Sequence, residues 1–166
     1  VEPSAILSFR DEYPRMAPEG QREAAKTLGA NALLFEEFLF REAQKGNVTP
    51  EHFTKEKRHI LLHGHCHQKA LASVDPSAWV LGLPENYTVS VIPSGCCGMA
   101  GSFGYEREHY DVSMGIGELV LFPALRQADA DAVVAAPGTS CRHQILDGTG
   151  RAALHPAEVL WGAVAG

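Results

Sequence analysis

Positive charge, long apolar runs and cysteine are all scarce in this chain of 166 residues. Lys and Arg number 14 against 20 Asp and Glu, and the net charge of −6 argues against a nucleic-acid surface, which needs clustered positive charge. No apolar run approaches the ~20 residues of a membrane span, and no signal-peptide pattern opens the chain. Four cysteines are too few for a secreted disulfide scaffold. These deficits indicate a globular protein of cytosolic character, and the start at Val1 leads us to expect a piece of something longer.

The four cysteines are the first chemical signal in the sequence: Cys66, Cys96, Cys97 and Cys141. The adjacent pair is poorly placed for a disulfide, because the geometry of that bond is demanding. Gly, His or Ser stands close to each cysteine, whereas cysteines that only pack usually lie among aliphatic residues. In a reducing compartment such thiols indicate metal or redox chemistry. The alternative is four unrelated free thiols.

The apolar pattern divides the chain into a helical segment, residues 1–57, and an α/β domain, residues 58–166. In the first segment a helical pattern runs through residues 18–45, and Gly29 is a predicted break between two helices. In the second, short apolar runs separated by helical patterns predict strands at residues 59–63, 87–92, 132–136 and 152–155. We therefore expect an α/β fold: a Rossmann-like, doubly wound, mainly parallel sheet with an N-terminal helical extension.

Each cysteine position follows a predicted strand. Cys66 comes after the first strand, Cys96 and Cys97 after the second, and Cys141 after the third. Open parallel sheets collect their ligands in the crevice beyond the carboxyl ends of the strands, so these residues are expected to converge in space. Four thiolates suit a tetrahedral zinc site or an iron–sulfur cluster.

Histidines crowd the first cysteine, since His63, His65 and His67 flank Cys66. A neutral imidazole can bind a metal, or it can hydrogen-bond to a metal ligand and hold that ligand in place. We take His65 and His67 as candidate ligands or supporting donors. The alternative for each is a core histidine whose hydrogen bonds are satisfied within the protein.

A glycine-rich loop surrounds the double cysteine. Gly95, Gly98 and Gly101 would let the backbone approach a bulky inorganic centre and offer N–H donors to its sulfurs. A dinucleotide loop is the alternative, but the GxGxxG spacing is absent. A serine hydrolase is not supported, because no GxSxG elbow occurs.

Three runs of sequence carry a family resemblance: HGHCHQKAL at 63–71, GCCGMAGSFGYE at 95–106 and GTSCRHQ at 138–144. They resemble the cysteine-rich CCG domain of heterodisulfide reductase B subunits and glycolate oxidase iron–sulfur subunits. The same domain forms the C-terminal end of fused FAD-linked oxidases that act on D-2-hydroxy acids such as D-lactate, and this sequence looks closest to those. The resemblance covers roughly residues 58–160.

The resemblance implies that the four cysteines bind an iron–sulfur cluster of the 4Fe–4S type or, in some members, zinc. The role implied is to relay electrons from a flavin. FAD belongs only to the rest of the parent protein, so the chain is not expected to oxidise a hydroxy acid alone. The implied partners are FAD-binding and ferredoxin-type domains or subunits of the same enzyme. The implied location is cytoplasmic, with membrane association at the inner face only through a parent complex.

Two departures from the family pattern limit the ligand set. The last motif is commonly CxxC, but here Cys141 is followed by Arg142, His143 and Gln144. Residues 1–4 resemble the end of a preceding repeat, whose expected cysteine is Ala5 in this chain. We therefore expect a single four-coordinate metal site. A zinc-stabilised docking module and a thiol/disulfide enzyme are the alternative functions.

Overall fold

A four-stranded sheet forms the centre of the computed structural model, which describes residues 2–165. The outermost residues of the two predicted segments, Val1 and Gly166, lie outside the described residues. The strands are β1 (Arg58–Leu62), β2 (Tyr87–Val91), β3 (Val133–Ala135) and β4 (Ala153–Leu154). Their order is β2-β1-β3-β4, and every neighbouring pair is parallel. The predicted parallel α/β sheet is confirmed.

The burial of β1 explains its continuous apolar run. Leu62 pairs with Val91 of β2 on one side and with Ala135 of β3 on the other, so the strand is central. Ile60, Leu61 and Leu62 are all buried, as expected when both faces of a parallel strand are covered. At the edge of the sheet β2 is largely exposed.

Ten α-helices and four short 3-10 helices accompany the sheet in the described part of the chain. The α-helices of the N-terminal segment are α1 (Pro3–Ser8), α2 (Glu12–Met16), α3 (Arg22–Asn31) and α4 (Phe35–Gln44). Those that alternate with the strands are α5 (Cys66–Leu71), α6 (Asp75–Leu81), α7 (Tyr110–Leu119), α8 (Leu121–Gln127), α9 (Thr139–Thr149) and α10 (Pro156–Trp161). The alternation of strands and helices follows the predicted order.

Helices cover both faces of the sheet. On one face Leu121, Phe122 and Ile145, from α8 and α9, pack in one core with Leu61 and Val134 of the strands. On the other face, α6 and α10 form a second core with Ile60 and Leu62 of β1. Helix α4 packs against α6. The sheet is therefore doubly wound, and residues of the predicted N-terminal extension cover part of it. The boundary at residue 57 stays a prediction.

The predicted helix break at Gly29 is wrong, because Gly29 lies inside α3. A Cβ at this position would lie 2.5 Å from the carbonyl oxygen of Phe9, so glycine is needed for a close approach of two segments. The helix ends at Asn31, and Ala32 has an extended backbone. The side chain of Arg10 donates a hydrogen bond of 2.7 Å to the carbonyl oxygen of Ala32.

Strand order locates the crevice of the sheet. The chain passes from β1 to β2 on one side and then returns across β1 to β3 on the other. Such a reversal separates the loops that follow the two neighbouring strands and opens a ligand-binding crevice at their carboxyl ends. All four cysteines lie in the segments that leave this edge.

Over residues 2–165, no helix combines the length and the apolarity that crossing a bilayer requires.

Candidate metal centre

Three loops beyond the same sheet edge bring the four cysteines together. Cys66 begins α5, Cys96 and Cys97 lie in the loop after β2, and Cys141 lies in the first turn of α9. Cys66, Cys96 and Cys97 line one cavity, and Sγ of Cys97 lies within 4.8 Å of Sγ of Cys141. All four are free of disulfides. The structure thus places every predicted cysteine ligand in one cluster.

The four cysteine thiols shift one another's pKa values in opposite directions. The pKa of Cys66 is raised because its thiol donates to Cys96, and burial adds to the effect. The pKa of Cys97 is raised by hydrogen bonds to Cys141 and Cys96. These bonds lower the pKa of Cys96, and they lower that of Cys141 to about 5 despite its burial. Because a metal binds the thiolate form of cysteine, a cation held by these sulfurs would release their protons.

Backbone N–H groups of the glycine-rich loop point at these sulfurs. The N–H of Gly98 donates to Sγ of Cys96 at 3.3 Å, and the N–H of Ala100 also lowers the pKa of that thiol. The N–H of Met99 also lowers the pKa of Cys97, which partly offsets the rise caused by its other neighbours. Among the predicted glycines, Gly98 therefore supplies a donor to sulfur. Such N–H donors are a usual means of tuning sulfur-ligated centres.

Both ring nitrogens of His65 contact groups other than the thiols. It caps α5, where Nδ1 accepts a hydrogen bond of 3.2 Å from the N–H of His67, and Nε2 lies 3.1 Å from Oε1 of Glu2. Burial lowers the pKa of His65, but Glu2 and the nearby thiolates raise it overall. Burial likewise raises the pKa of Glu2, and its hydrogen bonds to His65 and to the N–H of Thr139 lower it overall. The assignments of His65 and His67 as ligands stay predictions.

A third histidine lies closer to the thiols. His63 is fully buried, and one of its ring nitrogens lies within 4.8 Å of Sγ of both Cys97 and Cys141. Its Nδ1 is 2.7 Å from Oγ of Ser94. Among the three histidines that flank Cys66, the sequence favours His65 and His67 as ligands and does not single out His63. The available signal was its position directly after the central strand, at the edge where the cysteines gather.

An open cavity of about 650 Å³ lies beside the cluster. Its lining includes Cys66, Cys96 and Cys97, together with His67 and Gly101. Sulfur and imidazole donors are the ligands that zinc and iron–sulfur centres prefer. The donor set fits both kinds of centre, and the cavity leaves space for a group larger than one ion.

Comparison with known proteins finds relatives among bacterial dehydrogenases. The chain is 29% identical over 161 residues to a D-2-hydroxyglutarate dehydrogenase of Escherichia coli (strain K12), which covers 96% of the chain and 15% of that protein. The same identity, extent and coverage hold for the enzyme of that name from Pantoea ananatis (strain AJ13355). The chain is also 29% identical over 162 residues to one of the subunits of the anaerobic glycerol-3-phosphate dehydrogenase of Escherichia coli (strain K12), covering 98% of the chain and 39% of that relative.

The chain therefore spans 15% of the D-2-hydroxyglutarate dehydrogenases and 39% of the glycerol-3-phosphate dehydrogenase polypeptide that it matches. No family model matches the sequence, and no solved structure matches it. The similarity is to parts of larger oxidoreductases.

Proposed function

We propose that this chain is the iron–sulfur-binding part of a flavin-linked dehydrogenase, with Cys66, Cys96, Cys97 and Cys141 as the cluster ligands. The observation that carries the proposal is the convergence of cysteines from three segments distant in sequence: Cys66, Cys96 and Cys97 line one cavity, and Cys141 lies within 4.8 Å of Cys97. The similarity to parts of two kinds of dehydrogenase supports an oxidoreductase as the whole protein.

The proposed centre would supply one-electron transfer, and the protein would set its potential. Cys97 and Cys141 are 3% and 1% exposed, so they would hold one side of the centre away from water. Cys66 and Cys96 line the cavity and would hold the side from which electrons enter or leave. The N–H groups of the loop donate to sulfur, which stabilises the reduced, more negative state.

The rest of the enzyme would supply the flavin and the substrate site. The relatives are named for D-2-hydroxyglutarate and glycerol-3-phosphate, so we propose that the parent enzyme oxidises the hydroxyl group of a small anionic substrate. The partners would be FAD-binding and ferredoxin-type domains or subunits. We also propose that residues 58–166 form the CCG-type domain, that residues 1–57 extend it, and that it resides in the cytoplasm, at the membrane only through a parent complex.

The test is anaerobic purification followed by metal and sulfide analysis. The proposal expects a brown protein with broad visible absorption, containing iron and acid-labile sulfide. Cys96→Ser should lose most of the bound metal, whereas Ser102→Ala, an exposed change in the same loop, should lose none. Unchanged metal content in Cys96→Ser would falsify the assignment.

A zinc-stabilised docking module is the second candidate. It is favoured by the compact, buried group of His63, Cys97 and Cys141, whose ligand atoms all lie within 4.8 Å of one another. Tetrahedral zinc sites bring their ligand atoms this close. Colourless protein with one equivalent of zinc would support this function. Colourless, metal-free protein with rapidly titrating thiols would instead support a thiol/disulfide enzyme.

A further inference from the structure

His63 is held rigidly at the carboxyl end of the central strand. Its backbone N–H donates a hydrogen bond of 2.9 Å to the carbonyl oxygen of Ala135, the last residue of β3. Its Nδ1 is 2.7 Å from Oγ of Ser94, in the loop after β2. Both His63 and Ser94 are buried, at 0% and 6% exposure. The imidazole is therefore fixed from both sides of β1.

The second ring nitrogen of His63 has no such support. Its Nε2 is buried and has no hydrogen-bond partner among the described residues. A buried polar atom without a partner is unfavourable, and in native proteins such an atom often faces a bound ion. Sγ of Cys97 and of Cys141, both also buried, lie within 4.8 Å of a ring nitrogen of His63.

We propose that Nε2 of His63 is itself a ligand of the centre that Cys97 and Cys141 bind, with Ser94 as the positioning residue that holds the ring. This inference rests on the proposed function, since it requires that the cysteines bind a metal. A hydrogen bond from Nδ1–H to Ser94 leaves the lone pair of Nε2 free for a metal, and this is the usual arrangement for a metal-bound imidazole. The centre would then have mixed sulfur and nitrogen ligands.

The geometry distinguishes His63 from its neighbours. Both ring nitrogens of His65 have partners, in the N–H of His67 and in Glu2. The ring of His67 lines the open cavity, on the side of Cys66 and Cys96. His63 alone of the three belongs to the buried group with Cys97 and Cys141. An imidazole ligand is neutral, so it makes a centre less negative than a thiolate ligand would, and in iron–sulfur clusters imidazole ligation goes with a higher reduction potential.

The experiment observes the nitrogen directly. The full chain is produced anaerobically with ¹⁵N-labelled histidine, and its metal and sulfide content is measured first. If the centre is an iron–sulfur cluster, pulsed EPR of the reduced protein should show one strongly coupled ¹⁵N nucleus. If the centre is zinc, X-ray absorption should show one nitrogen at about 2.0–2.1 Å beside sulfur at about 2.3 Å.

The variants compare two histidine–serine pairs. His63 and Ser94 lie just beyond the ends of β1 and β2, whereas His59 and Ser90 lie within these strands. His63→Gln should lose the nitrogen signal, and Ser94→Ala should weaken metal binding by about tenfold or more. His59→Gln removes the partner of Ser90, 2.9 Å away across the same strands, and should change neither. If His63→Gln does not fold, His65→Gln and His67→Gln decide the question: a nitrogen signal that survives both substitutions comes from His63, and a signal lost in either one overturns the inference.

Three outcomes are distinguishable. A strong nitrogen signal in the wild type that disappears in His63→Gln supports the inference. Bound metal with sulfur ligands alone, or with only the weak coupling of an N–H hydrogen bond to sulfur, overturns the role of His63 and leaves the proposed function intact. A wild-type protein that binds no metal overturns both.

Discussion

The ammonium of Lys69 lies 2.9 Å from the carbonyl oxygen of Gly95, the residue that precedes the double cysteine. The same ammonium donates to the carbonyl oxygen of Ser94. Lys69 belongs to α5, which begins at Cys66, so one side chain joins two of the cysteine-bearing segments. Burial lowers the pKa of Lys69 overall, and the charges of the nearby cysteine sulfurs offset part of this effect. Lys69 therefore links the two segments by hydrogen bonds and places a positive charge beside the sulfurs.

Replacing Lys69 should weaken metal binding. Lys69→Met removes the hydrogen bonds that hold the loop and the charge that favours thiolates, so we expect metal affinity to fall about 10–100-fold, as for other groups that support ligands. Competition with a chromophoric chelator measures the change. Lys69→Arg should retain part of the affinity, and Lys57→Met, on the exposed surface, should retain all of it. Wild-type metal affinity in Lys69→Met would show that the contacts of Lys69 with Ser94 and Gly95 do not support the centre.

Two glycines in the double-cysteine loop should differ in their tolerance of alanine. Gly98 has φ of +104°, and a Cβ there would lie 2.1 Å from the carbonyl oxygen of Ser113 in α7. Gly101 has φ of +70°, but a Cβ there meets nothing within 4 Å. Gly101→Ala should lower the free energy of unfolding by about 1 kcal/mol, because only the left-handed backbone conformation disfavours alanine there. Gly98→Ala should lose more and should also displace Cys96 and Cys97.

Urea unfolding of both glycine variants, together with their metal content, checks this expectation. We expect Gly98→Ala to be the less stable of the two and to bind less metal. Equal stability and equal metal content would show that the loop can relax away from α7.

Glu36 should make the stability of the protein depend on pH. Its side chain is 2% exposed, and Oε1 is buried without a hydrogen-bond partner in the described structure. Burial raises its pKa above the usual 4.5, and the charge of Glu37 adds to this. Because the folded-state pKa is the higher one, the contribution of Glu36 to stability is fully present below pH 4.5 and is lost as the pH rises through the raised value.

Glu36→Gln should therefore stabilise the protein at pH 7.5 by about 1 kcal/mol. For a chain of this size the melting temperature should rise by about 2–4 °C, and the gain should vanish near pH 4, where the native carboxyl is neutral. Thermal melts at the two pH values measure it. Glu51→Gln removes the same charge from an exposed position and serves as the control. A gain of equal size at both pH values would rule out burial of the charge as its cause.

The pair of Arg10 and Glu37 should stabilise the packing of the N-terminal helices. Nη1 of Arg10 lies 2.9 Å from Oε1 of Glu37, and a second contact joins Nη2 to Oε2. Burial raises the pKa of Glu37, but the bonds from Arg10 and from the N–H of Leu34 lower it overall. Its contribution is therefore present above pH 4.5 and is lost as the pH falls through the lowered value.

Glu37→Gln should reduce the free energy of unfolding at pH 7 by about 1.5–3 kcal/mol, because the hydrogen bonds involve charged groups and are partly shielded from water. A double-mutant cycle with Arg10→Met should show that the two residues are coupled. The matched control is Glu23→Gln, whose partner Lys26 forms an exposed ion pair that should be worth little. Equal effects of the two glutamate substitutions would mean that the Arg10 pair contributes no more than a surface contact.

The N-terminal helices show where local pattern and tertiary contact disagree. Helical spacing correctly indicated a helical segment, but the break was assigned to Gly29 on the ground that glycine disfavours helix interiors. The missing side chain at Gly29 instead admits the backbone of Phe9, and the helix ends at Asn31, next to the carbonyl oxygen that Arg10 binds. Neither contact is visible in the local sequence, because each joins residues about 20 positions apart.

The sequence by itself determined the parallel sheet and the edge at which the cysteines gather. Apolar runs separated by helical periodicity require buried, parallel strands, and the residues after such strands must leave at one edge. Only the tertiary structure decided which histidine faces the thiols. His63 and His65 are two residues apart at the end of a strand, and there the direction of a side chain depends on distant partners: Ser94 for one ring and Glu2 for the other. Local spacing carries no information about those partners.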